Sequence, residues 1–274
     1  MRRQGLFDHE WQKIQVFLPN ESKQGRPRRD LKPVVEGILW IIRTGAPWRD
    51  LPDKYGPWQT VYRWFRQWID KGLWRLMFRK LQESRERTNK IDWELHHLDA
   101  TIVQGHRHAA GGGQGSQAEG LGFSRGGYST KVHIRVDNAG HLMGLTITEG
   151  QRHETQAFKM LMNQGAVKRT WGRPKLRPNT VVADKGYTAG WIRDWLRQKG
   201  INYVIPKKSS ECQKGIFRSH LYRKRNIVER VIGHFKEYRR LANRYEKLLD
   251  NYKAMWMIAE VFQSLDELQL DGEF

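Results

Sequence analysis

The amino-acid sequence predicts an α/β protein in which a mixed five-stranded sheet flanked by helices follows an all-helical N-terminal domain. Of the 274 residues, 38% are hydrophobic and 12 are tryptophan, which is enough for a sizeable core and excludes a disordered chain. Apolar residues recur at helical spacing over roughly the first ninety residues. After residue 93, β-rich runs alternate with helical stretches, the order typical of a sheet covered by helices.

The N-terminal domain, residues 1–92, is predicted to hold four helices separated by proline and glycine. Asp8 can cap a short first helix that Pro19 ends, and a basic linker leads to a second helix over residues 31–43. A third helix over 60–71 and a fourth over 73–87 follow. Trp64 and Trp68, four residues apart, favour a helical core over a base-stacking platform.

These helices could form a helix-turn-helix-like unit that binds DNA. The third helix would then be the recognition helix. Its polar side chains available to the major groove are Gln59, Arg63, Arg66 and Gln67.

The second domain, residues 93–274, is predicted to contain the sheet. Strands are expected at 93–99, 131–137, 141–148, 180–184 and 201–206, with helices over 153–163 and 189–199 between the later ones. Two closing helices are expected over 222–247 and 250–268. Nine glycines and little apolar periodicity between residues 104 and 130 predict a mobile loop.

The charge balance predicts the class of partner. Lys and Arg number 49 against 29 Asp and Glu, a net charge of +20, and neutralising phosphates releases their condensed counterions. This excess fits a structural nucleic-acid binder as well as an enzyme. The single cysteine, Cys212, excludes an internal disulfide and a cysteine-based zinc finger. No apolar stretch suits a bilayer span or a signal peptide, so we expect a soluble, cytoplasmic protein with no membrane partner.

Two aspartates each follow a strand-like run. Asp99 closes the run at 93–99 and Asp184 closes the run at 180–184, and the carboxyl ends of strands are where open α/β sheets place ligands. Each aspartate taken alone also fits an ordinary strand-end residue that caps a turn.

A third carboxylate, Glu229, lies in a helical stretch rich in Arg and Lys. At 100° per residue it falls within a polar stripe about 60° wide, while Val228, Val231 and Phe235 point the other way. An exposed salt-bridge network around Glu229 is the alternative interpretation. The other members of the stripe are Tyr222, Arg225 and Lys236.

The spacing Tyr222-x2-Arg225-x3-Glu229-x6-Lys236, with LDAT at 98–101 and ADKGY at 183–187, resembles the signature of bacterial insertion-sequence transposases of the DDE type. RGGYSTKVH at 125–133, GQRHE at 150–154 and the N-terminal GRPRRDL and GAPWRDLP resemble blocks of the subgroup with a compact catalytic domain. The resemblance covers about residues 5–260 and implies an RNase H-like catalytic domain.

The resemblance also implies a reaction and its site. Asp99, Asp184 and Glu229 would be both the catalytic residues and the ligands of two Mg²⁺ ions, for which Mn²⁺ would substitute. The chain would bind the terminal inverted repeats of its insertion sequence, act on target DNA, and work as a homodimer or higher homo-oligomer. The expected DNA contacts, besides those of the third helix, are Tyr222, Arg225, Lys236, Arg240, Arg125 and Lys185.

Two alternatives stay open at this point. One is a nuclease of the same fold that only hydrolyses DNA, and the other is a transposase-derived regulator that binds DNA without cutting it. Intact Asp99, Asp184 and Glu229 argue against the regulator.

Overall fold

A computed structural model describes residues 5–19, 30–110, 118–208 and 217–269. The chain divides into a helical unit (residues 1–84, 235–243 and 250–274) and a sheet unit (residues 85–234 and 244–249). The boundary predicted at residue 92 therefore lies at 84/85, and the end of the chain belongs to the helical unit. The reason is that the last helix is buried on nearly every side, with Trp256 packed on Phe235 and Phe262 near Trp74.

The helices predicted for the N-terminal region are confirmed to within about three residues. In the structure they are α1 Asp8–Gln15, α2 Lys32–Thr44, α3 Trp58–Asp70 and α4 Leu73–Arg87. The N-cap of α1 is Phe7 instead of Asp8, and the backbone N–H of Phe7 donates to the Glu10 carboxylate at 3.0 Å. The basic linker lies almost entirely in residues 20–29, outside the described residues.

The core of the helical unit confirms the interpretation of its tryptophans. Trp68 is fully buried, and its ring lies 5.5 Å from that of Trp64 and 5.6 Å from that of Trp74. The connection between α2 and α3 spans residues 45–57, longer than the roughly 3–4-residue turn of a helix-turn-helix.

The sheet unit contains the predicted mixed sheet, in the order β4-β3-β1-β5-β6. β3 runs antiparallel to β1 and β4, whereas β1, β5 and β6 are parallel. This is the five-stranded RNase H-like arrangement, with the short β2 added to β3 and β7 added to β1. The strands are β1 Leu95–Gly105, β2 Gly122–Ser124, β3 Gly127–Asp137, β4 Leu142–Glu149, β5 Thr180–Ala183, β6 Asn202–Val204 and β7 Asn243–Arg244.

The glycine-rich segment 104–130 is not a continuous loop. It contains the end of β1, all of β2 and the start of β3, and its Leu121 is buried. β1 extends to residue 105, past its predicted end, because β3 pairs with it as far as Gln104 opposite Ser129. Residues 111–117 of the predicted loop lie outside the described residues.

Helices α5 Glu154–Met162 and α6 Gly190–Gln198 agree with the prediction, but the continuous helix predicted over 222–247 is wrong. The backbone turns at residues 224–225 and again at Tyr238, which is extended and buried. The segment therefore forms α7 Ser219–Arg223, α8 Asn226–Lys236 and α9 Arg239–Ala242, and α10 Leu249–Gln263 follows. None of the helices in the described ranges is long and apolar enough to cross a membrane.

Candidate active site

Two aspartates lie side by side on neighbouring parallel strands. The register between β1 and β5 ends with Leu98 opposite Ala183, and the next residue on each strand is Asp99 or Asp184. Adjacent strands lie about 4.8 Å apart, so the two side chains begin from neighbouring backbone positions. Asp184 follows the carboxyl end of its strand, as predicted. Asp99 does not, since β1 continues; it lies beside the end of β5.

Asp184 caps the short turn that follows β5. Its Oδ1 accepts a hydrogen bond from the backbone N–H of Gly186 at 2.9 Å, which fixes the carboxylate at the carboxyl end of β5. A Cβ on Gly186 would lie 3.0 Å from that oxygen and 3.1 Å from a carboxylate oxygen of Glu154. A larger residue in place of this glycine of the ADKGY segment would require the two carboxylates to shift by a few tenths of an ångström.

Arg225 joins the other two carboxylates of the predicted triad. Its Nη1 donates to Asp99 Oδ2 at 3.1 Å and to Glu229 Oε1 at 3.0 Å, so the two acceptor oxygens lie within two hydrogen-bond lengths of each other. Asp99 is only 9% exposed, and its Oδ1 accepts from the Ala100 N–H at 2.9 Å. Glu229 is exposed on α8. The Arg225 guanidinium thus bridges a buried carboxylate, Asp99, and an exposed one, Glu229.

The pKa of Asp99 reflects its burial and the charges of the neighbouring carboxylates and of Arg225. Burial raises the pKa of Asp99, the charge of Arg225 and the Ala100 N–H lower it, and the charges of Asp184 and Glu229 raise it again; the net pKa is about 6, above the ordinary 3.8. Three carboxylates therefore interact, with one guanidinium between two of them.

A buried ion pair that the sequence analysis left unassigned lies next to the aspartates. Lys131 Nζ donates to Glu154 Oε1 and to the Arg152 carbonyl, both at 2.7 Å. Burial alone would raise the pKa of Glu154, but the hydrogen bond and charge of Lys131 give a net lowering. Both residues occur in the RGGYSTKVH and GQRHE segments, which carried the resemblance without a stated role.

Tyr187 ends the short turn that Asp184 caps, and its side chain is fully buried. Its hydroxyl has no hydrogen-bond partner in the described part of the chain. Burial, followed by the charges of Asp99, Asp184 and Glu154, raises the pKa of Tyr187 well above 10.0. The phenol therefore stays neutral and packs against the carboxylate cluster.

The donor set fits a divalent cation. Asp99, Asp184 and Glu229 offer carboxylate oxygens, the hard ligands that Mg²⁺ and Mn²⁺ prefer. The position of the Arg225 guanidinium shows that positive charge is accommodated between two of these carboxylates.

The predicted DNA contacts of the sheet unit fall into two groups. Lys185 and Arg125 are exposed, the first directly after Asp184 and the second in the turn between β2 and β3. Tyr222 lies on α7, so it does not share a helix with Glu229 on α8. Its ring packs 5.4 Å from that of Phe217. The predicted single stripe is therefore corrected: only Glu229 and Lys236 of its members lie within α8, and Arg225 immediately precedes it.

The helical unit separates its predicted contacts more sharply. Gln59 and Arg63 are exposed on α3, whereas Arg66 bonds to Asp70 at 3.1 Å and to the Asn251 side chain. Arg240 is buried and donates to the carbonyls at the end of α2, Gly45 at 3.2 Å and Ala46 at 3.0 Å. The structure therefore gives Arg240 a structural role, because its donors satisfy helix-terminal carbonyls, and we do not propose it as a DNA contact.

Comparison with known proteins adds two family matches. Residues 97–261 match the family described as "Transposase DDE domain", and residues 6–78 match "Putative transposase of IS4/5 family".

Among individual relatives, "Uncharacterized protein y4sN" of Sinorhizobium fredii (strain NBRC 101917 / NGR234) is 35% identical over 108 residues, covering 39% of this chain and 82% of the relative. "Putative transposase for insertion sequence element IS402" of Burkholderia cepacia is 31% identical over 126 residues, covering 46% of this chain and 57% of the relative. "Crystal structure of a pre-cleavage Mos1 transpososome" is similar at 10% identity and a TM-score of 0.23, covering 92% of this chain and 83% of that one.

Proposed function

The chain belongs to the transposase DDE-domain family, and from that premise we propose that it binds the terminal inverted repeats of its own insertion sequence and cuts and joins DNA there. Members of the family are DNA transposases that catalyse strand cleavage and strand transfer with divalent metal ions. The proximity of Asp184 and Glu229 to the buried Asp99, with exposed Lys185 directly after Asp184, is the observation that supports this function for this chain.

We assign Asp99, Asp184 and Glu229 as the catalytic residues and the ligands of Mg²⁺, for which Mn²⁺ would substitute. Bound cations would activate the attacking oxygen and stabilise the leaving one in each in-line displacement at phosphorus. The turn after β5 holds Asp184, and burial in β1 holds Asp99, so these two ligands are preorganised. Glu229 is the exposed, adjustable ligand.

Arg225 has a separate proposed part. Its guanidinium now pairs with Asp99 and Glu229; with those carboxylates holding cations it would be free to bind a phosphate with two parallel donors. Tyr222, Lys236, Lys185 and Arg125 would contact the transposon end near the cleaved phosphate. Gln59 and Arg63 would contact the repeat from α3, and pairing of two ends would require at least a homodimer.

The experiment uses a plasmid that carries both ends of the element. The purified chain is incubated with it with and without Mg²⁺, and the products are sequenced. Strand-transfer joints that need Mg²⁺ and both ends are the expected result. Simple nicks would favour the nuclease, and binding without cleavage would favour the regulator.

A matched pair of variants controls the assignment of the site. Asp184→Asn is expected to abolish cleavage, because it removes a charge that compensates the cations. Asp194→Asn makes the same change at an exposed aspartate of α6, which pairs with Arg197, and should leave cleavage intact. Equal cleavage by the two variants would overturn the metal site.

A further inference from the structure

A short hairpin projects from the sheet unit between α5 and β5. Val167 and Lys175 exchange two backbone hydrogen bonds of 2.8 Å, which close a loop over residues 168–174. Val167 is fully buried with Trp93 and Met143, so the base of the hairpin is anchored in the core. Gly172 has a φ of +86°, a conformation that favours glycine, and a Cβ there would meet nothing within 4 Å. We call residues 167–175 the tryptophan hairpin.

Trp171 lies at the end of this hairpin and is 87% exposed, more than any other large hydrophobic residue in the described part of the chain. Phe123, the next most exposed, still packs its ring 4.8 Å from that of Tyr128. The indole of Trp171 has no ring or cation partner among the residues that the structure describes. The indole of Trp171 therefore exposes a planar apolar face to solvent, on a hairpin that Val167 anchors in the core.

The charged residues of this segment are all positive. No acidic residue occurs between residues 165 and 183, whereas Lys168, Arg173 and Arg177 are exposed. Two further cations hold the base: Arg169 pairs with Glu86 at 2.9 Å, and Lys175 lies over the Trp93 ring. A partner of this surface must combine negative charge with planar faces that can stack, which is the chemistry of a nucleic acid.

The tryptophan hairpin is separate from the carboxylate site. It leads into the amino end of β5, where Thr180 lies opposite Leu95, whereas Asp99 and Asp184 follow the other end of the paired segment. Four strand positions correspond to about 13 Å along the strands. DNA bound at the hairpin is therefore a different part of the molecule from the phosphate that would bind at the carboxylates.

We propose that the tryptophan hairpin is a second DNA-binding site, in which Trp171 stacks on an unpaired base while Lys168 and Arg173 neutralise neighbouring phosphates. In a regular duplex both faces of each base are covered by its neighbours, so an indole finds a free face only where bases are unpaired. The site therefore selects gapped or single-stranded DNA over paired duplex. This inference rests on the exposure and charge of the hairpin and not on the identity of the catalytic carboxylates.

The test measures binding of the full chain by fluorescence anisotropy to three DNAs: a paired duplex, the same duplex with a short internal gap, and a single strand. All binding is measured in EDTA, so that metal-dependent cleavage does not interfere and failure of the carboxylate assignment cannot affect the result. Trp171→Ala should weaken binding to gapped and single-stranded DNA about 5- to 100-fold and leave duplex binding nearly unchanged.

Two further substitutions at the same position separate stacking from simple apolar contact. Trp171→Phe keeps an aromatic face and should retain most of the preference for gaps, whereas Trp171→Leu should lose it. The matched control is Trp191→Ala, because Trp191 is 43% exposed but its ring packs on Phe158 with Lys159 above it. Removing Lys168 and Arg173 together should lower the salt slope by about two.

Several outcomes would overturn the proposal. It fails if Trp171→Ala binds all three DNAs as tightly as the parent chain, or if Trp171→Leu keeps the preference for gaps. It also fails if Trp171→Ala changes only the sedimentation coefficient of the protein, because the indole would then contact a second copy of the chain. A thermal unfolding midpoint equal to that of the parent chain verifies that each variant is folded.

Discussion

Arg225 donates a hydrogen bond from Nη1 to Oδ2 of Asp99 over 3.1 Å, and so places a positive charge against the most buried carboxylate of the candidate site. The compensation is incomplete, because burial still raises the pKa of Asp99 to about 6. Folding with an ionised Asp99 therefore costs free energy at neutral pH, a cost that a bound cation would offset.

The first prediction is that Asp99→Asn stabilises the fold while it abolishes cleavage. The pKa of Asp99 is higher in the folded chain than its ordinary 3.8, so the folded state binds the proton more tightly. Wild-type stability should therefore fall as the pH rises from about 4 to about 6, by about 1–3 kcal/mol in total. The Asp99→Asn variant has no carboxyl group to ionise at this position, so it should gain that amount at pH 7 and nothing below pH 4.

Urea unfolding in EDTA across this pH range measures the effect. Asp194→Asn, at an exposed position, is the control and should show no pH-dependent gain. If Asp99→Asn were less stable than the wild type at pH 7, the ion pair with Arg225 would outweigh the burial of charge.

The second prediction concerns the other partner of this ion pair. Arg225→Gln leaves Asp99 buried without a cation and should lower the free energy of unfolding by about 1–3 kcal/mol at neutral pH. Adding Asp99→Asn to it should restore more stability than the same substitution adds to the wild type, since the two residues form one interaction. Mg²⁺ should stabilise Arg225→Gln more than the wild type, because the cation no longer competes with the guanidinium.

Denaturant unfolding of the two single variants and the double variant, with and without Mg²⁺, completes this cycle. Additive effects of the two substitutions would contradict it. So would equal stabilisation of wild type and Arg225→Gln by Mg²⁺.

Local patterns explain how much of the fold the sequence could predict. The helices of the N-terminal region have apolar residues at helical spacing, and α2 ends at Gly45, whose φ is +72°. The end of β1 could not be predicted in this way, because residues 100–105 stay extended only through hydrogen bonds to β3. The continuous helix predicted over 222–247 is interrupted at residues 224–225 and at Tyr238, whose extended backbone and buried side chain depend on tertiary packing.

The candidate site shows the same division. The motifs around Asp99, Asp184 and Glu229 singled out the three carboxylates, and the parallel pairing of β1 and β5 places the first two side by side. The contact between Arg225 and Asp99 joins residues 126 positions apart. No spacing rule covers such a contact, and the same holds for the pair between Lys131 and Glu154.

The third prediction is that Tyr187→Phe leaves the protein at least as stable as the wild type. The Tyr187 hydroxyl is buried without a hydrogen-bond partner in the described ranges, and an unsatisfied buried hydroxyl is unfavourable. Its removal should raise the free energy of unfolding by about 1 kcal/mol and leave Mg²⁺-dependent cleavage unchanged. A cleavage defect in a stable Tyr187→Phe protein would show that the hydroxyl acts in the reaction.

The last prediction separates two cations that the sequence grouped together as DNA contacts. Arg240 donates to the carbonyls of Gly45 and Ala46, so Arg240→Ala leaves the end of α2 without these donors and should destabilise the fold by about 1–3 kcal/mol. Lys236, at the end of α8, is half-buried, and Lys236→Ala should change stability little.

In binding to a repeat-end duplex, Lys236→Ala should have the larger effect and Arg240→Ala the smaller one. Lys236→Ala should weaken affinity and lower the salt slope by about one unit, as loss of one phosphate contact requires. Arg240→Ala should leave that slope unchanged at a temperature where it is folded. Isotherms at several salt concentrations, paired with urea unfolding of the same preparations, give both quantities. A lower salt slope in Arg240→Ala, or an unchanged one in Lys236→Ala, would show that the two roles have been assigned the wrong way round.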